Sequence, residues 1–189
     1  DLKNELFQYL PKSNEQFSLA QTISNGDIYD FGQLLTANQI DEIHEYLKDQ
    51  PLANVHYYDY GNRNYSFNEL LQINSLYGSY SRAVALNCPH ILSVLFADDI
   101  VDSITAYLGT VPTISSINLF WTFNQDSLGP VSQYHRDVDD ISFINLFIYL
   151  RDINDIEDGP HQYIRNSANF DYVSGKIQSI NVNPLPRYF

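Results

Sequence analysis

Residues 142–150, SFINLFIYL, constrain the fold more than any other stretch of this chain. Ile144, Leu146, Ile148 and Leu150 fall on one side of an extended backbone, and Phe143, Asn145, Phe147 and Tyr149 fall on the other. A helix would scatter both sets around its circumference. The alternation therefore reads as a strand whose aliphatic face is buried in a core. Its opposite face is aromatic with polar handles, which suits the wall of a ligand cavity better than a surface in water. Residues 113–123, TISSINLFWTF, share the β-branched and aromatic texture. Turn signals such as Gly129-Pro130 and Asp158-Gly159-Pro160 bound these stretches.

The chain before Gly109 reads as mostly helical. Thr36 and Gln39 have the form of a capping box, Ile40, Ile43 and Leu47 follow at helical spacing, and Pro51 ends the run. A second helix is expected to start at Pro89. Ile91, Leu92, Leu95, Ile100, Val101, Ile104 and Leu108 supply its stripe, and Gly109 its stop. Residues 57–65, YYDYGNRNY, lack any period and read as a surface loop with tyrosines packed on the core. The expectation is a single domain over residues 1–189, helix-rich over 1–110 and carrying its core strands over 111–189. Its class is α+β or mainly β. No repeat or low-complexity segment interrupts it.

Charge narrows the function. Lys and Arg total 10 against 23 Asp and Glu, a formal net charge of −13. Nucleic acid and an anionic membrane surface would be repelled by that field. No apolar run is long enough to span a bilayer, and no charged-then-apolar leader is read at the start. The single cysteine, Cys88, allows no intrachain disulfide and reads as a buried apolar residue. A soluble, cytoplasmic protein is expected, in which the glycosylation triplet Asn64-Tyr65-Ser66 has no role. The chain opens on Asp1 and contains no Met, so local motifs carry more of the argument than long spacings. Nothing in the sequence fixes an oligomeric state.

The densest group of metal-capable side chains is Tyr134-His135-Arg136-Asp137-Val138-Asp139-Asp140. In an extended segment His135 and Asp137 project to the same side, so imidazole and carboxylate can converge on one ion. With a later His they would make the two-His, one-carboxylate facial set of non-haem Fe(II) oxygenases. The triplet alone is weak, because about half of one is expected by chance from this chain's His and Asp content. Taken alone, a surface turn with a helper carboxylate explains it as well.

Its surroundings add to it. Residues 133–140, then 143–150, then Asp152-Ile153-Asn154 and Gly159-Pro160-His161-Gln162-Tyr163-Ile164-Arg165 together resemble the phytanoyl-CoA dioxygenase family. That family carries an H-x-D at the mouth of a core strand, an acidic strand end and a Gly-Pro-His segment after it. Residues 107–121 are similar to its upstream helix end and strand, so the resemblance covers about residues 90–168. It implies a double-stranded β-helix (jelly-roll, cupin-like) core with N-terminal helices packed on it. It also implies Fe(II) as cofactor, 2-oxoglutarate as co-substrate, and iron ligation by His135 and Asp137. O2 would then oxidise a small organic substrate with release of succinate and CO2. A carboxylate at 137, where related halogenases have a small residue, favours hydroxylation or another oxidation. Few basic residues flank the expected mouth, so a multiply phosphorylated CoA ester is disfavoured as substrate.

Two departures stand out. Asn166-Ser167-Ala168 replaces the family's Gly-Ser-His, and no His follows His161. The distal iron ligand is therefore either in a segment beyond these residues or lost, and Arg187 is not assigned to 2-oxoglutarate. If lost, the chain is a catalytically inactive small-molecule-binding member of the same fold.

Around the H-x-D, Gln133, Phe147 and Tyr149 are candidates to face the cofactor, and Trp121 and Tyr134 to line the substrate pocket. Asp140 and His161 are expected behind the ligands, bracing them. His44 and His90 read as structural, and nothing orients His56. Arg136, Arg151 and Arg165 are expected to pair with Asp139, Asp152 or Asp155. Residues 152–159 imitate a calcium loop, but Ile156 stands where an oxygen ligand is required. No phosphate-binding glycine loop and no Ser or Cys nucleophile elbow is present.

Overall fold

Thr36 starts the first helix as its sequence dictates. Its hydroxyl accepts from the Gln39 N–H, and the Gln39 side chain accepts from the Thr36 N–H at 2.9 Å. Helix α1 (Ala37–Leu47) follows and buries Ile43 and Leu47. The structure, a computed structural model, describes residues 28–54, 64–123, 137 and 143–165.

Among the described residues before Gly109 six further elements follow, and two of them are strands. They are β1 (Leu52–Asn54), α2 (Phe67–Gln72), β2 (Tyr77–Tyr80), α3 (Arg82–Asn87), α4 (Ile91–Leu95) and α5 (Asp98–Leu108). The described residues before Gly109 are mainly helical, as expected, with two short strands besides: β1 and β2 pair antiparallel with Leu52 opposite Tyr80 and Asn54 opposite Gly78. Strand β3 (Phe120–Thr122) adds to β2, with Trp121 opposite Gly78, giving the order β1-β2-β3. Of the expected strand over 113–123, these three residues join a ladder among the described residues. Tyr65 also departs from the loop reading, because it exchanges both backbone hydrogen bonds with Leu52 at 2.9 and 2.8 Å. The rest of the expected tyrosine loop, residues 57–63, lies outside the described residues.

The expected second helix is two helices. His90 precedes α4 with φ of +65°, and Ala97 takes an extended conformation that ends one helix and caps the next. Phe96-Ala97-Asp98-Asp99 separate Leu95 from Ile100, a step longer than one helical turn. The two aspartates suit the positive end of α5 rather than the middle of a longer helix. Gly109 stops α5 at φ of +73°, as expected.

The core lies between the helices and one face of the sheet. Ile43, Leu47, Leu52, Leu70 and Ile100 are fully buried, each contributing about 1.5–3 kcal/mol by leaving water. Gly78 is required where α2 crosses β2, since a Cβ there would overlap Leu70 Cδ1. Tyr80 threads the layers: its hydroxyl donates to the Leu47 carbonyl at 3.3 Å and accepts from Trp121 Nε1 at 2.9 Å. Burial raises the Tyr80 phenol above its ordinary range.

Residues 143–150 carry the alternation expected of them. Leu146, Ile148 and Leu150 pack against the core, while Asn145, Phe147 and Tyr149 are exposed. They form no ladder among the described residues, and Phe147 is 50% exposed, so the aromatic face is open rather than enclosed. No helix among the described residues is long and apolar enough to cross a membrane.

Candidate functional site

The outward side of residues 143–150 gathers the polar and aromatic groups singled out above. Asn145, Phe147 and Tyr149 recur every second residue, so their side chains rise from one face about 7 Å apart. The inward anchoring of Leu146, Ile148 and Leu150 fixes that face in orientation.

Asp137 meets it at one end. The Asn145 amide donates to Asp137 Oδ2 at 3.0 Å, joining residues eight positions apart. His161 meets it at the other. Its ring stacks on Phe147 with centroids 4.4 Å apart and planes inclined by 26°, and its backbone N–H donates to the Tyr149 hydroxyl at 2.7 Å. One face thus carries a carboxylate, an amide, two aromatic rings and an imidazole.

The acidic turn before His161 is built to hold it there. Asp155 opens a short 3-10 helix (Ile156–Asp158), its carboxylate accepting from the N–H groups of Glu157 and Asp158 at 2.8 and 3.3 Å. Asp158 accepts from the Asn154 N–H at 2.8 Å, the Asp155 N–H at 3.3 Å and the Arg151 guanidinium at 2.7 Å. The Asn154 N–H, with those other two donors, holds the Asp158 carboxyl below its ordinary range. Gly159 then turns the chain at φ of +76°, a conformation a Cβ disfavours. These carboxylates accept from their own backbone. Among the described residues Arg151 pairs with Asp158 rather than with Asp152 or Asp155, because the 3-10 turn folds Asp158 back over Arg151; Asp139 lies outside them.

The remaining candidates are distributed as follows. His135, Gln133, Tyr134 and Asp140 lie outside the described residues, as do His56 and Arg187. Trp121 sits in β3, half-buried, with its N–H committed to Tyr80 and its ring edge-on to Phe67 at 5.4 Å. His44 lies on α1 with its ring 5.8 Å from Trp121. His90 ties helices together, with Nε2 2.6 Å from Glu42 Oε2 and Nδ1 3.5 Å from Gln39 Nε2. Cys88 is buried, and burial pushes its thiol up to about 11. Among the described residues no three His, Cys, Asp or Glu side chains gather, and Asp137 is the one proposed iron ligand within them.

An exposed carboxylate that accepts from a neutral amide is oxygen-donor chemistry of the kind a hard divalent cation takes. Asn145 was legible in the sequence only as a polar handle on the aromatic face; its contact to Asp137 was not. Comparison with protein-family models, with curated proteins and with solved structures finds no match.

Proposed function

We propose that this chain is an Fe(II)- and 2-oxoglutarate-dependent dioxygenase that hydroxylates or otherwise oxidises a small organic substrate, releasing succinate and CO2. The observation that carries the reading is the Asp137 carboxylate, held by Asn145 at one end of the Asn145, Phe147, Tyr149 face. His135 stands two positions earlier, the spacing at which an extended chain turns both side chains the same way. Together they would supply an imidazole and a carboxylate to one metal, a further His being the third ligand that the reading requires. The metal would supply the oxygen chemistry, and the chain its coordination geometry and the approach of the substrate.

The aromatic face gives that approach its character. Phe147, stacked by His161, and Tyr149, held by the His161 N–H, form a pre-ordered apolar platform beside the carboxylate. Such a platform suits an organic molecule with an apolar portion. On this reading the architecture is a double-stranded β-helix carrying the helices on its outside, in a soluble, cytoplasmic protein.

Succinate release tests the proposal. With Fe(II), 2-oxoglutarate and O2, the protein is expected to form succinate, and His135→Ala and Asp137→Ala to lower that rate at least tenfold. Undiminished succinate formation by both variants would overturn the assignment.

A further inference from the structure

We infer that Asn145 is a positioning residue for Asp137: its side-chain amide fixes the plane in which that carboxylate meets a divalent metal ion. The inference rests on the metal-dependent reading above and names a residue which that reading leaves without a role. Three features support it.

The first is geometry. Asn145 Nδ2 lies 3.0 Å from Asp137 Oδ2, a full hydrogen bond that pins one oxygen of the carboxylate. The second is anchorage. Asn145 precedes Leu146, which packs on the core, so its donor stands on a backbone held by burial and reaches Asp137 through a short side chain. A donor on a long surface side chain would lose more rotamer freedom to hold the same geometry. The third is charge. An amide donates without bringing a positive charge, so this bond itself takes none of the carboxylate's negative charge. Lysine or arginine at 145 would instead compete with the metal.

Outer groups that orient metal ligands in this way commonly contribute ten- to hundredfold to metal affinity. Anaerobic titration with Co(II) alone, followed by its d–d absorption, reads that contribution without turnover. Asn145→Leu keeps the volume and removes the donor; Asn145→Ala serves the same purpose should the leucine variant fold poorly. Asn145→Gln retains the amide on a longer arm.

The expected result is Co(II) binding by the unaltered protein. The leucine and alanine variants should bind ten- to hundredfold more weakly, with an altered band shape and an unchanged metal-free melting temperature. Asn145→Gln should recover part of the affinity. Leucine and alanine variants that bind as the unaltered protein does would overturn the positioning role and leave the dioxygenase reading standing. So would a glutamine variant as weak as the leucine variant. Failure of the folded, unaltered protein to bind Co(II) would remove the dioxygenase reading and this inference together.

Discussion

His161 and Tyr149, twelve positions apart, are joined by a 2.7 Å hydrogen bond from the backbone N–H of one to the phenol oxygen of the other. The bond places the Gly-Pro-His turn over the aromatic face, where the His161 ring covers Phe147. Tyr149→Phe keeps the ring and deletes the acceptor. The His161 amide is expected to exchange with solvent faster, and global stability to fall by at most about 1 kcal/mol, since both groups are exposed to water. Amide exchange and urea denaturation check the two effects separately.

Acid should loosen the same turn. The Asp158 carboxyl lies below its ordinary value of 3.8, chiefly because the Asn154 N–H donates to it. A depressed folded value means that the turn's stabilisation is present above about pH 4 and is lost as pH falls through the lower folded value. The amides of Asn154 and Asp155 are expected to lose exchange protection in that window. In Asp158→Ala they should be unprotected at neutral pH as well.

Gly78 is where β2 and α2 touch. Gly78→Ala drives a methyl into Leu70 Cδ1 and is expected to destabilise the protein by about 1–3 kcal/mol. Adding Leu70→Ala should make the double variant more stable than the sum of the two single losses predicts. Thermal or urea unfolding of all four proteins measures that coupling.

Cys88 gives a test of the core itself. Burial pushes its thiol up from an ordinary 9.0 to about 11, so it should not react with a disulfide reagent at pH 8 until the protein is unfolded. The raised value contributes stability that is fully present below pH 9 and lost as pH rises towards 11. The stability difference between the unaltered protein and Cys88→Ala should therefore shrink between pH 8 and pH 10 in urea denaturation.

Short-range signals were readable, and pairings across the chain were not. Thr36 and Gln39 cap α1 as written because a capping box is complete within four residues. The inward and outward sets of residues 143–150 followed from strand geometry alone, as did the stop at Gly109. Leu52-Ala53-Asn54 and Tyr77-Gly78-Ser79-Tyr80 gave no strand signal, since three or four residues show no period and become strands only by pairing with one another. The break at Ala97 leaves only one trace in the sequence: Leu95 and Ile100, five residues apart, would stand about 140° from each other round a single helix. At the candidate site, the aromatic face and the Gly-Pro-His turn were legible. The Asn145 to Asp137 bond was not, because no local period relates residues eight apart.

Iron and 2-oxoglutarate binding tests the central proposal most directly. Fe(II) would be titrated into the protein under anaerobic conditions, with and without 2-oxoglutarate, and the visible spectrum recorded. The account predicts a weak charge-transfer band that appears only when both are present and disappears in Asp137→Ala. Absence of any band in folded protein, at saturating Fe(II) and 2-oxoglutarate, would contradict it.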